Sequence, residues 1–265
     1  MNDRIRTVRT DSSTTEYFTF GGGENVAVIL PGLSVQSVTG AAEAVEKEYG
    51  VFKDDFTVYL LDRRLDPPPA YTVRDMADDA EAAMDALGLR DVCLFGASQG
   101  GMIAAVIAAR RPDLAGKLAL ASTALTVTDE GLGAIEKWIS LAKAGDGVGL
   151  YLDFGEKVYP PRTFAAYRDA LAAAGGTVTG EELERFAVLA AGTRGFDAAE
   201  DAKRIKCPVL VTGSDDDRVL GPDAVREVIR AFGGRAVSHV YSGYGHAAYD
   251  TAPDFRDRLF RFFKG

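Results

Sequence analysis

The pentapeptide Gly96-Ala97-Ser98-Gln99-Gly100 constrains the fold of this chain more than any other stretch. An apolar run typical of a buried strand precedes it at 92–95, and small apolar residues of helical length follow it at 101–110. A reversal from strand to helix leaves little room for side chains at its flanks, so the two glycines allow the elements to approach closely. The serine is then expected at the apex of the turn, beside the free N–H groups of a helix start.

A strand, a Gly-x-Ser-x-Gly turn and a helix in this order are typical of a nucleophile elbow, which presents a reactive serine hydroxyl. Without such flanks, the pentapeptide would equally suit a Gly/Ser-rich turn that has no chemistry. The flanking elements therefore favour Ser98 as a candidate nucleophile.

Around this turn, buried strands and helices alternate. Two opening strands are predicted within residues 4–20. Apolar runs typical of strands covered on both faces follow at 26–30, 56–61, 92–95 and 117–121. Helices are predicted between them, over 41–49, 72–87 and 101–110. This alternation indicates an α/β fold with a doubly wound, mostly parallel sheet.

The alternation stops between Leu125 and Lys206, where no buried strand is predicted. Three helices are predicted instead, over 128–144, 161–174 and 180–191, with Gly-rich joints at Gly145–Gly149 and Gly175-Gly176. Alternation resumes with strands at 208–212 and 236–241 and a closing helix. We therefore predict one domain, with a core formed by 1–124 and 207–265 and a helical insertion after the sixth strand, over 125–206.

Composition narrows the classes of partner. The 265 residues carry a net charge of -9, whereas nucleic acids and anionic membranes bind cationic faces. We expect a small-molecule substrate, no nucleic acid and no membrane, and a homo-oligomer stays open. The start of the chain lacks an apolar core of signal-peptide length, so cytoplasmic residence is expected. The two cysteines, Cys93 and Cys207, fit buried thiols better than a disulfide or a metal site.

A serine nucleophile needs a base, and the chain has two histidines. His239 lies within the last predicted strand, where a structural role is expected. His246 follows that strand in the flexible segment Gly243-Tyr244-Gly245-His246-Ala247, and sites of open α/β sheets gather at the carboxyl ends of strands. We therefore predict that His246 is the base, in the chain order Ser, Asp, His.

An acid that orients the histidine is expected after the strand at 208–212. The loop there carries three consecutive aspartates, Asp215, Asp216 and Asp217. A carboxylate bonded to the far nitrogen of His246 would fix the imidazole tautomer. The spacing of residues alone does not choose among the three, and the other two are expected to belong to a solvated acidic turn.

The negative oxygen of a tetrahedral intermediate requires two backbone N–H donors. One is expected from Gln99, directly after the nucleophile, and the other from the loop after an early strand. Leu33, in the turn Pro31-Gly32-Leu33, occupies that place. A Pro-Gly turn is also a common way for a strand to end.

The chain resembles α/β-hydrolases of the lidded carboxylesterase, acyltransferase and aminopeptidase-like group over nearly its whole length. The resemblance rests on three segments: the elbow Gly-Ala-Ser-Gln-Gly-Gly-Met-Ile-Ala, the loop ending Asp-Arg-Val-Leu, and the Gly-Tyr-Gly-His sequence. It implies Asp217 as the acid, counted from Pro208, with Asp216 second. It also implies that the insertion is a helical cap over the site. A serine at the elbow argues against the dehalogenase and epoxide-hydrolase branches, which use aspartate.

Two positions depart from that group. Its usual His-Gly before the oxyanion loop is Pro31-Gly32 here, which removes a side chain that often braces the loop. Its usual glycine after Asp-x-Arg is Leu65. Both departures weaken any transfer of one subfamily's substrate.

We therefore expect a serine hydrolase of carboxylic esters, thioesters or lactones of a small apolar acyl substrate, without cofactor or metal. Acyl transfer and a slow-turnover ligand sensor remain alternatives. So does an aminopeptidase, for which Asp153 and Glu156 are candidate partners of a substrate amine. Aromatic residues of the insertion are candidates for an apolar pocket above Ser98: Trp138, Tyr151, Phe154, Tyr159, Phe164, Tyr167 and Phe186.

Overall fold

A computed structural model describes residues 4–265 and contains an eight-stranded sheet. The strands are β1 (Arg6–Arg9), β2 (Thr14–Gly21), β3 (Asn25–Leu30), β4 (Phe56–Arg64), β5 (Val92–Ala97), β6 (Ala115–Ala121), β7 (Val209–Ser214) and β8 (Ala236–Tyr241). Their order in the sheet is β1-β2-β4-β3-β5-β6-β7-β8. β2 pairs antiparallel with β1 and β4, and all other neighbours are parallel. The predicted α/β class with a doubly wound, mostly parallel sheet is confirmed.

Helices cover both faces of the sheet. Those that follow strands of the core are α1 (Ala42–Glu48), α2 (Val73–Ala86), α3 (Gln99–Arg110), α9 (Ala224–Phe232), α10 (Ala248–Thr251) and α11 (Phe255–Lys264). Alternate residues of β3 show the two faces. Val28 and Leu30 pack in a cluster that includes residues of α2 and α3, while Ala27 and Ile29 pack in a cluster with α11. A strand buried on both sides explains the uninterrupted apolar run that the sequence shows at 26–30.

The helical insertion after the sixth strand is present between β6 and β7. It contains α4 (Asp129–Lys143), α5 (Gly147–Val158), α6 (Pro161–Thr177), α7 (Gly180–Ala191) and α8 (Ala199–Arg204). Sequence patterns predicted only three helices here. None of the helices within residues 4–265 is long and apolar enough to cross a membrane.

The first predicted Gly-rich joint is partly right, since Gly145 lies between α4 and α5. The part of it from residue 147 and the whole second joint were wrong, because these glycines lie within helices. Asp146 accepts a hydrogen bond from the N–H of Gly149 and so starts α5 inside the first predicted joint. Gly175 lies within α6, where a Cβ atom would come 2.5 Å from the carbonyl oxygen of Gly147. Gly147 and Gly175 let α5 and α6 pack backbone to backbone, because no side chain separates the two helices at this point.

Candidate active site

Ser98 stands at the reversal between β5 and α3 in a conformation that side chains rarely adopt, with φ 51° and ψ -123°. Two hydrogen bonds hold it there. The Ser98 N–H donates to the carbonyl of Ala121 at 2.9 Å, and the hydroxyl of Thr123 donates to the Ser98 carbonyl at 2.7 Å. Strained residues persist where their surroundings fix them in this way, and they cluster at functional sites.

The two glycines of the elbow are required by close contacts, as the sequence indicated. A Cβ atom at Gly96 would lie 2.3 Å from the carbonyl oxygen of Gly100. A Cβ atom at Gly100 would lie 2.1 Å from the carbonyl oxygen of Leu30 on the neighbouring strand. Strand, turn and helix therefore fit together only without side chains at these two positions.

His246 follows β8 and reaches the serine. Its Nε2 atom lies 2.9 Å from Ser98 Oγ, and the residue is only 3% exposed. The other histidine, His239, lies on β8 with its ring 4.5 Å from that of Tyr241, away from the serine's hydrogen bonds. Burial lowers the pKa of His239, with help from the nearby Arg258.

Of the three consecutive aspartates, Asp217 is the one that contacts the histidine. Its Oδ2 atom lies 2.8 Å from His246 Nδ1. Its Oδ1 atom accepts hydrogen bonds from the N–H groups of Val219 and Leu220, at 2.8 and 3.0 Å. Because a carboxylate only accepts, Nδ1 carries the proton and Nε2 is left to accept from the serine hydroxyl.

The other two aspartates have different partners. Asp216 accepts hydrogen bonds from the N–H groups of Gly243 and Gly245, at 3.1 Å each, and so shapes the loop that carries the histidine. Asp215 accepts from the hydroxyl of Ser242 at 2.9 Å. Neither carboxylate contacts the imidazole.

Leu33 and Gln99 lie beside the serine with free backbone donors. Neither N–H group donates a hydrogen bond to any residue of the described chain. Both residues line the same small cavity as Ser98 and His246. The residue before Leu33 is close to the serine as well, since a Cβ atom at Gly32 would lie 3.2 Å from Ser98 Cβ. Two unpaired N–H groups next to a serine hydroxyl are suited to hold a negative oxygen.

A buried guanidinium, which sequence patterns did not single out, braces this arrangement. Arg63, at the carboxyl end of β4, donates to the carbonyl of Pro31 at 2.5 Å and to Gln99 Oε1 at 3.4 Å. The side-chain amide of Gln99 donates in turn to the carbonyl of Leu189 on α7, at 2.7 Å. Burial lowers the pKa of Arg63 to about 10, so it stays charged at neutral pH. Arg63 therefore supports the loop in which proline replaces the usual histidine.

The end of α5 is tied to both loops that carry the acidic and basic residues. The N–H of Ala247, next to the histidine, donates to the carbonyl of Val158 at 3.0 Å. The guanidinium of Arg218, next to Asp217, donates to the carbonyl of Tyr159. The insertion is thus hydrogen-bonded to the loop that carries His246 and to the loop that carries Asp217.

A small cavity of about 20 Å³, which we name the serine cavity, is lined in part by Ser98. Side chains of the core and of the insertion line it: Leu33, Ser98, Gln99, Met102, Ile135, Trp138, Phe154, Val158, Thr193, Val219, Leu220, His246 and Tyr249. Of the seven aromatic candidates in the insertion, Trp138 and Phe154 line this cavity. Phe186 is buried in the core cluster and Tyr167 is exposed. The predicted apolar pocket is therefore present, with two of those rings in its wall.

The carboxylates considered for a substrate amine are engaged or remote. Asp153 accepts from Trp138 Nε1 at 3.0 Å and pairs with Lys137. Glu156 is exposed on α5 and lines neither the serine cavity nor a neighbouring cavity. Within residues 4–265, no three His, Cys, Asp or Glu side chains gather as metal ligands.

Comparison with known proteins finds a relative whose activity is named. The chain is similar to a homoserine O-acetyltransferase of Deinococcus radiodurans, at 27% identity over 216 residues. The alignment covers 74% of this chain but 65% of the acetyltransferase, so it spans less than two thirds of that protein's length.

Solved structures resemble the fold closely at low identity. An alpha/beta hydrolase from a Medee basin deep-sea metagenome library superposes with a TM-score of 0.87 at 20% identity, over 98% of each chain. The enol-lactonase of Burkholderia xenovorans gives 0.83 at 20% identity, over 98% of this chain and 100% of that one. The esterase RhEst1 of a Rhodococcus species gives 0.78 at 20% identity, over 99% of both.

A family model agrees with this likeness in fold. The model of the alpha/beta hydrolase family matches residues 28–257, from β3 into the closing helix. The match spans most of the chain and includes the elbow and the loops of Asp217 and His246. This chain belongs to the alpha/beta hydrolase family.

Proposed function

We propose that this protein is a cofactor-free serine hydrolase that cleaves carboxylic esters, thioesters or lactones through an acyl-enzyme on Ser98. One observation carries the proposal: the hydrogen-bonded series from Ser98 Oγ to His246 Nε2 and from His246 Nδ1 to Asp217, at 2.9 and 2.8 Å. The free N–H groups of Leu33 and Gln99 beside the serine support it.

In the first half of the reaction, Ser98 Oγ attacks the substrate carbonyl carbon while His246 Nε2 takes the hydroxyl proton. The carbonyl oxygen becomes negative and is held by the N–H groups of Leu33 and Gln99. Asp217 stabilises the imidazolium that forms. The bond from carbon to the leaving oxygen or sulfur then breaks, and His246 returns the proton to that leaving atom.

In the second half, water attacks the acyl carbon and gives a proton to His246 Nε2. A second tetrahedral intermediate forms on the same two N–H donors. Its bond to Ser98 Oγ breaks, the proton returns to that oxygen, and the carboxylic acid leaves. The enzyme is restored without a metal or cofactor in any step.

We also propose that the insertion over 125–206 acts as a cap on this site. Its residues Ile135, Trp138 and Phe154 line the serine cavity together with residues of the core. A closed apolar wall keeps bulk water away from the oxyanion and strengthens its hydrogen bonds.

Acyl transfer to an alcohol is the second candidate, favoured by the similarity to a homoserine O-acetyltransferase. It uses the same acyl-enzyme, with an alcohol in place of water. An aminopeptidase has less support, because Asp153 already binds Trp138 and Lys137.

The test is a panel of activated esters, thioesters, lactones and aminoacyl naphthylamides, each run with and without an added alcohol acceptor. We expect turnover of the oxygen or sulfur esters, labelling of Ser98 alone by a serine-reactive phosphonate, and no turnover by Ser98→Ala. Preference for the naphthylamides would promote the aminopeptidase. Product formation that depends on the alcohol would promote acyl transfer. Absence of turnover with all substrates would leave a ligand sensor.

A further inference from the structure

A second cavity lies beside the serine cavity and is much larger. Its volume is about 380 Å³, against about 20 Å³ above Ser98. Four side chains line both and form the wall between them: Leu33, Phe154, Val158 and Tyr249. Small-molecule sites usually measure about 300–1,000 Å³, so the second cavity has the size to hold most of a substrate.

Gly32 lies next to Ser98 and lines this second cavity. A Cβ atom at residue 32 would lie 3.2 Å from Ser98 Cβ and 3.6 Å from Tyr249 Oη. Gly32 and Ala97, the residue before the serine, both line the second cavity. An acyl group bonded to Ser98 therefore starts beside the wall of the second cavity, at a point where residue 32 contributes no side chain.

The position of His246 decides which part of the substrate takes this path. The leaving atom must receive a proton from His246 Nε2, and the attacking water must give one to it. His246 lines the serine cavity but not the second cavity. A space of about 10–15 Å³ holds one water, so the serine cavity suits a water or a compact leaving group. The acyl chain is left to the second cavity.

Most of the second cavity's wall is apolar, but polar groups without partners face it. Its apolar side chains include Ile29, Val38, Val45, Leu60 and Phe95. Tyr49 and Tyr249 also line it, and within the described chain neither of their hydroxyls makes a hydrogen bond. Burial raises the pKa of both tyrosines, so their hydroxyls remain protonated and able to donate. An oxygen acceptor on a bound chain would pair with these donors.

Charges at the mouth of this cavity already have partners. The guanidinium of Arg256 faces Glu48 and Asp250, each at 3.4 Å, and the hydroxyl of Tyr159 donates to Asp250 at 3.3 Å. Two carboxylates around one guanidinium repel a further anion. A substrate ammonium would have to compete with Arg256 for those carboxylates. An uncharged chain meets neither difficulty.

We propose that the second cavity binds the acyl arm of the substrate, and that this arm is an uncharged chain carrying a carbonyl, ether or hydroxyl oxygen. This assignment rests on the proposed function and names its substrate class: esters that join an extended, oxygen-bearing acyl group to a compact leaving group. Tyr249 lines both cavities, and its hydroxyl would lie 3.6 Å from a Cβ atom at Gly32, the residue next to Ser98.

The experiment compares methyl esters of acids that share one chain length: hexanoate, 5-oxohexanoate, monomethyl adipate and 6-aminohexanoate, with methyl acetate as the short reference. Acid release at constant pH gives kcat/KM. We expect hexanoate to exceed acetate at least tenfold, because each buried methylene adds binding. We expect 5-oxohexanoate to exceed hexanoate about fivefold to tenfold through one added hydrogen bond. The adipate and aminohexanoate esters should fall below hexanoate.

Three variants test the residues. Tyr249→Phe should lower the ratio of oxohexanoate to hexanoate towards one, and Val45→Phe should lower the ratio of hexanoate to acetate by filling the cavity. Tyr167→Phe, the same change at an exposed tyrosine, should alter neither ratio.

The outcomes separate the two proposals. If wild type hydrolyses none of the esters in either panel, the proposed function is wrong and this assignment fails with it. If the acetate and hexanoate esters react equally well, only the assignment of the second cavity is wrong. The same holds if Tyr249→Phe leaves the ratio of kcat/KM for oxohexanoate to that for hexanoate unchanged. Preference for the aminohexanoate or adipate ester would refute the uncharged arm.

Discussion

Replacing Asp217 by asparagine tests the proposed roles of the acid and the base together. The two side chains have the same shape, so the difference lies in where protons are. In the wild type, one carboxylate oxygen accepts from the N–H groups of Val219 and Leu220, and the other accepts from His246 Nδ1. Asparagine offers one oxygen and one NH₂ group for these two places.

The backbone decides which way the amide faces. If its NH₂ group faced Val219 and Leu220, two buried N–H donors would lose their acceptor, each at a cost of about 1–3 kcal/mol. The amide oxygen therefore stays on the backbone, and the NH₂ group faces His246 Nδ1. The imidazole must then carry its proton on Nε2, pointing at Ser98, where it cannot accept the hydroxyl proton. Since about 1.4 kcal/mol is a factor of ten, the active tautomer falls by roughly 30-fold or more.

Loss of the negative charge beside the imidazolium adds to this effect. We expect kcat/KM to fall by about 10³–10⁴-fold, in line with the same substitution in other Ser-His-Asp sites. The melting temperature should stay close to that of wild type, because both backbone hydrogen bonds are kept. Asp217→Ala should lower both activity and melting temperature, because it removes them.

Initial rates on an activated ester, corrected by phosphonate titration of Ser98, and thermal unfolding of the same samples measure both effects. The matched controls are Asp215→Asn and Asp216→Asn, which we expect within about fivefold of wild type because neither carboxylate contacts the imidazole. Activity of Asp217→Asn within tenfold of wild type would refute the reasoning. If Asp216→Asn were the severe variant instead, the carboxylate that orients His246 would be Asp216 and not Asp217.

The remaining predictions concern the nucleophile Ser98, the base His246, and Arg63, which supports the oxyanion loop. Ser98→Ala should lower kcat by a factor on the order of 10⁶ with an unchanged fold, as judged by circular dichroism. His246→Ala should be comparably damaging in the same assay and His239→Ala mild; the reverse order would exclude His246 as base. Arg63→Met should lower stability by about 1–3 kcal/mol in urea unfolding, because it leaves the carbonyl of Pro31 without its hydrogen-bond donor. It should also lower kcat about 10²-fold through a displaced oxyanion loop, with KM little changed, and Arg63→Lys should recover part of kcat.

The elbow could be predicted from sequence because its requirements are local. Gly96 and Gly100 are needed for contacts within one turn and with the adjacent strand, so five consecutive residues carry the signal. The position of His246 followed from there being only two histidines, one of which lies inside a strand. Both inferences needed little knowledge of distant packing.

The choice among the aspartates was not local. Asp215, Asp216 and Asp217 are equivalent in sequence pattern, and the turn that follows β7 decides where each carboxylate points. Resemblance to a family indicated Asp217, and the structure places that carboxylate at His246. Its capping of Val219 and Leu220 is a signal that a single sequence does not reveal.

Arg63 and the second cavity were missed because they depend on contacts between residues far apart in the chain. Arg63 meets Pro31 and Gln99 only because β3, β4 and β5 lie side by side. The insertion was predicted, but α5 within it was not. Glycines at its start resemble a joint when their packing partner in α6 is unknown.

The hydrogen bond from the Ala247 N–H to the Val158 carbonyl links the position of His246 to the packing of the insertion on the core. The Ala247 amide can exchange with deuterated water only after its acceptor on α5 moves away, so its exchange rate should report detachment of that helix. Substitutions that loosen α5 should then speed exchange at Ala247 and lower activity together, even where the free energy of global unfolding is unchanged. Sequence change in the insertion should thus be limited by the need to keep His246 in place.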